Sequence, residues 1–434
     1  MKYIVSFMAK GQVFAFLMIV LLGCESSNVT EQNASNEDNN PNPSVNIKTP
    51  TLHYPPESNF TAISTNTSIA KPAYLGFVVD PEFNSTVIRI TNRETQTANA
   101  HLYPKTQSYN SNSTLLRLGY RIYHADTFKE TNITTEKLID GQLTEMKWST
   151  KNPKIFYGLN KATEFHRFQK ATIDADNIDY ETLVSFPKST YEELLLGKYE
   201  GNIDYHDRYV VFAARKVGES YLTAIVYNIE NNTTITTKDF PDINWTDEAG
   251  AQVLDWVSVS PLGNYVLINW KDDPDNTDST RRASIYQYDL HLNYIRKLSN
   301  QGQHGDIGVN ESDEEVYVQF EFGTENGIWS YKLEDANRTR LLPDKYNGGH
   351  VSCRNYKRKG WCYLSTTSEG YREVFALKLD GSGTVNRFAQ THAVGFNSQG
   401  GVNPDGTKVL FFSNWGVDGD TIDTYQAQYN NKED

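Results

Sequence analysis

The sequence predicts an all-β fold, a seven-bladed β-propeller, and three observations carry that expectation. Aromatic residues make up 12% of the chain and include 27 Tyr, a composition that suits strands. No clear amphipathic helical pattern appears after residue 70. A polar turn followed by a β-rich run recurs seven times. The turns begin near Asn110, Ser149, Tyr205, Ser260, Asn310, Asn355 and Asn403, at intervals of 39 to 56 residues. Each unit reads as a small antiparallel sheet, and a period of about 45–50 residues of this kind indicates propeller blades. A pair of β-sandwiches with irregular repeats is the alternative architecture.

In chain order, residues 1–23 read as a signal segment. Lys2 and Lys10 are followed by the apolar run VFAFLMIVLLG. The run ends in Leu21-Leu22-Gly23-Cys24, which resembles the lipobox of bacterial lipoproteins. Cys24 is therefore expected to carry the acyl chains, palmitate among them, that anchor a soluble domain to the membrane. Glu25 in the next position points to the outer membrane of a Gram-negative cell. Residues 24–70 read as the acylated cysteine and a polar tether, rich in Asn, Ser, Thr, Glu and Pro. Residues 71–434 remain for the propeller, which is expected to be a monomer.

Loss of Lys2 and Lys10 takes the formal net charge from −13 to −15. That balance excludes a general nucleic-acid binder. Three Cys are too few for a disulfide scaffold or a zinc-finger array. Nothing in the sequence calls for an organic cofactor.

Within the propeller, third strands follow several turns: LTAIVYNIE, RASIYQYDL, NGIWSYKLE and EVFALKLDG. Ser85–Thr91 is β-rich and precedes the first turn. It is expected to supply the outer strand of the last blade and close the ring. Asp405-Gly406 makes a structural turn. Trp148, Trp256, Trp361 and Trp415 are expected to pack between blades.

In such a fold the innermost strand of each blade lines a central channel. Residues about six positions before each turn then ring one face. They are His101 to Lys105, Thr144, Glu145, Tyr199, Glu200, Asp255, His304, Asp306, His350, Ser398 and Gln399. If the third turn centres near Asp207, Tyr199 lies opposite Arg215. If the first centres near Asn112, His101 approaches His124. A Tyr beside an Arg is a candidate general base with a His as partner acid; a mutually satisfied pair is the plainer reading. His304, His350 and His392, with Cys353 or Asp306, have the donor types of a zinc or other divalent site. Cys353 also flanks a hairpin with Cys362, and a cross-strand disulfide competes for it.

The segments HLYPKTQSYNSNSTLL, QHGDIGVN, GGHVSCRN and SQGGVNPDGTKVLFFSNWG resemble propeller proteins of bacterial polysaccharide-degrading systems. The chain is similar to the propeller-fold ulvan lyases and, more distantly, to the oligogalacturonate lyases, over roughly residues 71–430. The resemblance implies β-elimination at a uronic acid of an anionic, sulfated polysaccharide. Arg215 would neutralise the carboxylate, Tyr199 or a histidine (His101 or His124) would remove the adjacent proton, and the other would protonate the leaving oxygen. Lys105, Asn110 and Glu200 would hold the substrate. The resemblance also implies a structural metal, zinc or another divalent cation, at His304, His350, Cys353 and His392. A net charge of −15 demands a locally basic channel mouth, for which Lys105, Lys147, Arg215 and Arg354 are the candidates. Two other classes stand beside the lyase. One is a non-catalytic glycan-binding or scaffold lipoprotein. The other is a hydrolase pairing Glu145 with Glu200 or Asp255.

Overall fold

The computed structural model describes residues 68–429, except 94–99, 134–142, 162, 176, 247–252, 272, 274–282, 303, 344–347, 368–371 and 418–420. The signal segment, Cys24 and the tether up to residue 67 lie outside the described residues.

The chain forms seven antiparallel sheets in sequence order. Five are four-stranded, and each of these meanders between neighbouring strands. The expected ring closure is present. Ser85–Arg89 pairs with the last strand, Asp423–Tyr429, in the register Ser85↔Tyr429. An additional N-terminal strand, Phe77–Asp80, adds to its outer edge and makes the seventh blade five-stranded.

The first blade departs from the repeat. Its sheet holds only Leu115–Leu118 and Arg121–His124, extended by the single bridges Tyr109↔Leu116 and Tyr123↔Glu130. Its inner segment has left the ladder.

Why the ring closes is visible in the core. Seven hydrophobic clusters fill seven blade boundaries among the described residues. Ile122 of blade one meets Met146 and Phe156 of blade two. Phe168 meets Phe212 of blade three, and Val211 meets Val257 of blade four. Trp256 meets Tyr317 of blade five, and Val318 meets Leu364 of blade six. Val374 meets Val409 of blade seven, and Leu410 meets Tyr109 of blade one. The second strands, such as Tyr209–Lys216, Tyr265–Trp270 and Glu315–Glu321, are thus buried on both faces, whereas the outer strands Asn177–Pro187, Thr233–Asn244 and Arg338–Pro343 stay largely exposed.

The recurrent polar turns have one mechanism. A side-chain oxygen at the end of the inner strand accepts backbone N–H groups four or five residues on. Asn110 Oδ1 takes those of Thr114 and Leu115, both at 2.9 Å. Asp204 takes Tyr209 at 2.9 Å, Ser260 takes Tyr265 at 2.9 Å, and Asn403 takes Lys408 at 2.9 Å. These oxygens replace ladder bonds that the turn cannot make.

Candidate functional site in the channel mouth

The loops entering each inner strand and the loops joining second to third strands share one face. On that face the missing inner strand of blade one reappears. Residues 101–107 cross the channel and contact all six other blades, His101 meeting Gln399 and Phe412 of blade seven. Lys147 of blade two donates to Thr106 Oγ1 at 2.9 Å. Asn202 of blade three donates to the Lys105 carbonyl at 2.8 Å. Lys105 Nζ lies 3.9 Å from the ring centre of Trp256 in blade four and 2.7 Å from Glu200 Oε2. Ser352 of blade six donates to the Pro104 carbonyl at 2.6 Å. Tyr103 meets His304 at the entrance to blade five, Oη to Nδ1 at 3.1 Å. The segment is a plug, so the propeller has a floor beneath its mouth.

On this floor sits an aromatic cluster of neutral bases. The His304 and His350 ring centres are 4.4 Å apart, and Tyr103 stands edge-on to His350 at 5.1 Å. Burial pushes the His304 pKa down, helped by the positive charge of Lys105. Burial, with His304 beside it, lowers His350 to about 3. Both imidazoles are neutral at pH 7. With Nδ1 of His304 taken by Tyr103, Nε2 has no protein partner among the described residues.

His304 also lines a cleft of about 740 Å³ running outward between blades five, six and seven. Phe322, Thr367, Arg372, Phe396 and Asn397 line it as well. Gly349 lets the wall approach; at its φ of +150° a Cβ would stand 1.9 Å from the Ser365 carbonyl oxygen. Arg372 supplies the one fixed positive charge among the lining residues.

The inner strand of blade three carries a bulge at Gly197–Gly201. Gly201 N–H donates to the Gly197 carbonyl at 3.2 Å, and the bulge presses on Val257 of the next blade. It displays Lys198, Tyr199 and Glu200 into the mouth. Tyr199 has φ 73° and is 60% exposed.

Several expectations are corrected. The pairing of Tyr199 with Arg215 fails because the bulge adds residues to the hairpin. Arg215 pairs in register with Glu193, and its guanidinium binds Glu192 at 2.8 Å. Burial and the carboxylates of Glu145 and Glu193 raise the Tyr199 pKa, which opposes a phenolate. His101 and His124 are not opposed either. His124 pairs with Leu115 on the third strand of blade one and is exposed. His101 is buried with Nε2 2.7 Å from the Gln399 carbonyl oxygen and its ring against Phe412. Asn110 holds a turn and is buried, so it offers nothing to a ligand.

The four-residue metal group does not assemble. Cys353 is bonded to Cys362. His392 stacks on Trp415 at 4.4 Å. His304 and His350 alone meet, and among the described residues no three His, Cys, Asp or Glu side chains are grouped to hold a metal ion. The expected basic residues are also committed. Lys105 is paired with Glu200, and Arg215 with Glu192. Arg354 is held at 3.0 Å by both oxygens of Asp306. Burial lowers Lys147 to about 7, and it donates to the Tyr199 carbonyl at 3.1 Å. Arg372 instead lines the cleft, and Lys271 is exposed directly after the second strand of blade four, Tyr265–Trp270. Tyr103 was gathered with the His101–Lys105 segment but given no role, whereas Arg372, Phe322, Phe396 and Asn397 escaped the sequence reading, which followed only residues about six positions before the turns. Phe322 and Arg372 lie in loops joining second to third strands, whose repeat at the blade period was the usable signal, and Phe396 and Asn397 lie in the loop entering blade seven.

No protein-family model matches the chain, and no curated protein matches it. Solved structures do. An oligogalacturonate lyase in complex with manganese superposes with a TM-score of 0.56 at 12% identity, covering 83% of this chain and 97% of that one. The oligogalacturonate lyase of Vibrio parahaemolyticus gives 0.54 at 12% identity, covering 82% and 97%. The chain shares its propeller fold with these lyases. At this identity the likeness establishes the fold alone, since one fold hosts many functions.

Proposed function

We propose that the protein is a carbon–oxygen lyase that cleaves a uronate-containing glycan by β-elimination in the channel mouth. The observation that carries this reading is a neutral imidazole, His304, oriented by Tyr103 and lining a cleft whose one fixed cation is Arg372. Two structural neighbours are named oligogalacturonate lyases, which supports the same class of substrate. Arg372 binds the uronate carboxylate and so acidifies the neighbouring ring proton. Tyr103 Oη accepts from Nδ1–H of His304, which selects the tautomer with its lone pair on Nε2. Nε2 removes the proton as the bond to the leaving oxygen breaks and the ring double bond forms. The imidazolium returns that proton to the departing oxygen. Tyr103 remains a phenol throughout, because burial and nearby carboxylates push its pKa far up.

One neighbour is named as a manganese complex. Two adjacent imidazoles without a third donor do not fit a divalent cation here, and no step is routed through one. The resemblance of residues 1–24 to a lipoprotein signal ending in Cys24 supports display of the enzyme on the cell envelope through a lipid anchor.

The test is the ultraviolet absorbance of the unsaturated uronate, measured with ulvan, polygalacturonate and alginate. One of these glycans gives the chromophore with wild-type protein, and His304→Ala loses about 10²-fold or more in kcat. A folded protein that yields no unsaturated product from any uronate glycan overturns the proposal.

A further inference from the structure

Across the channel from the Arg372 cleft, the same face presents a second feature that elimination does not use. Tyr199 holds a left-handed backbone, unusual for a bulky residue. Its backbone is clamped on both sides. Its N–H donates to Glu145 Oε2 at 2.9 Å, and its carbonyl accepts from Lys147 Nζ at 3.1 Å. Glu145 is itself left-handed, at a register shift of blade two. The side chains of Glu145 and Lys147 thus fix one backbone unit, while Tyr199 itself stays 60% exposed. Strain of this kind persists where surrounding structure over-determines it, and it concentrates at functional sites.

Tyr120, also exposed at 52%, lies in the turn between Leu115–Leu118 and Arg121–His124. That turn is tied to the entering segment, with Gly119 N–H donating to the Ala100 carbonyl at 2.8 Å. The same turn is joined to the strand that clamps Tyr199: Arg117 donates to the Gly119 carbonyl at 2.8 Å and to the carbonyl of Met146, the neighbour of Glu145, at 2.9 Å. A tyrosine couples a flat apolar face to a polar tip, which suits the C–H face and hydroxyl rim of a pyranose.

We propose that Tyr199 and Tyr120 form a sugar-stacking subsite, which holds a distal pyranose ring of a glycan whose reacting uronate lies in the Arg372 cleft. The inference rests on the lyase reading for its second half, and it makes Tyr199 a binding platform. It predicts that affinity depends on glycan length, because only a chain that crosses the mouth reaches both tyrosines.

The experiment is calorimetric titration of the full chain, carrying His304→Ala to keep the ligand intact, with a galacturonate disaccharide and a hexasaccharide. Tyr199→Ala and Tyr120→Ala are expected to weaken the hexasaccharide by about tenfold and the disaccharide by less than about twofold. Tyr199→Phe, which keeps the ring, is expected to restore the affinity that alanine loses. Equal hexasaccharide affinity in parent and both alanine variants overturns the subsite. So does a loss that phenylalanine does not restore. With His304 intact, ring-dependent binding without unsaturated product from any glycan leaves the subsite standing and overturns the lyase. Product formation with Tyr199→Ala indifferent to chain length does the reverse. Binding of neither oligosaccharide by a folded parent overturns the subsite.

Discussion

Acidification is expected to unfold this protein through histidines that the fold keeps neutral. His101 and His392 are lowered to about 4 and His350 to about 3, in each case chiefly by burial. In the unfolded chain each returns to about 6.5. Between these values the unfolded state binds a proton that the folded state refuses, so stability rises with pH across the window and is lost as pH falls. For one such histidine the loss between pH 7 and pH 5 is roughly 2 kcal/mol, and for three roughly 6 kcal/mol. That is comparable to the whole stability of an ordinary domain. Buried carboxylates act in the opposite sense. Asp80, Asp255, Glu315 and Glu321 have raised pKa values and take up protons on folding, which offsets part of the loss. A single substitution separates the two contributions. His101→Gln keeps a donor for the Gln399 carbonyl and removes the titration. Urea unfolding at pH 7 and pH 5 should show a pH difference smaller by roughly 2 kcal/mol in the variant than in wild type. An identical pH dependence in the two proteins refutes the reasoning.

Three further outcomes follow from the site and its supports. Arg372→Ala should lower kcat/KM by roughly 10- to 100-fold on a uronate glycan, the worth of a charge-assisted contact, and should have less effect on a carboxyl-reduced glycan. Replacing Cys353 and Cys362 by Ser removes the bond that spans the Asn355–Gly360 turn. Loop entropy sets the cost at roughly 3 kcal/mol, read as a lower unfolding midpoint that reductant no longer changes. Arg354→Met strands the buried Asp306 carboxylate, which also accepts from Cys353 N–H at 2.8 Å. A loss of roughly 3–5 kcal/mol in urea unfolding is expected, and Asp306→Asn in the same chain should recover much of it.

Which parts were legible in the sequence depends on how local their physics is. Polar turns, β-rich runs and their period announced the blades, because a side-chain oxygen caps N–H groups only four or five residues away. Ser85–Arg89 was readable as the closing strand for a related reason: the last blade lacked one, and edge-to-edge pairing is the general remedy. The ring of residues preceding the turns correctly gathered His304, His350, Glu200 and the segment from His101 to Lys105. What sequence reasoning could not supply was register. One bulge at Gly197–Gly201 moved Arg215 from Tyr199 to Glu193, and the departure of the inner segment of blade one from its ladder separated His101 from His124. A bulge depends on how blade three presses against Val257 of blade four, a contact between residues about sixty apart in the chain.

Composition and periodicity alone therefore determined the all-β class, the seven repeats, the closing strand and the face that carries the ionisable residues. Only the tertiary structure decided which charges are spent on one another. Lys105, Arg215 and Arg354 find carboxylates, Cys353 finds Cys362, and Arg372 is left in a cleft beside a neutral histidine. The reason is physical. Secondary structure follows from near neighbours in sequence, whereas the partner of a buried charge is whatever distant group the packed blades bring within reach to offset its desolvation.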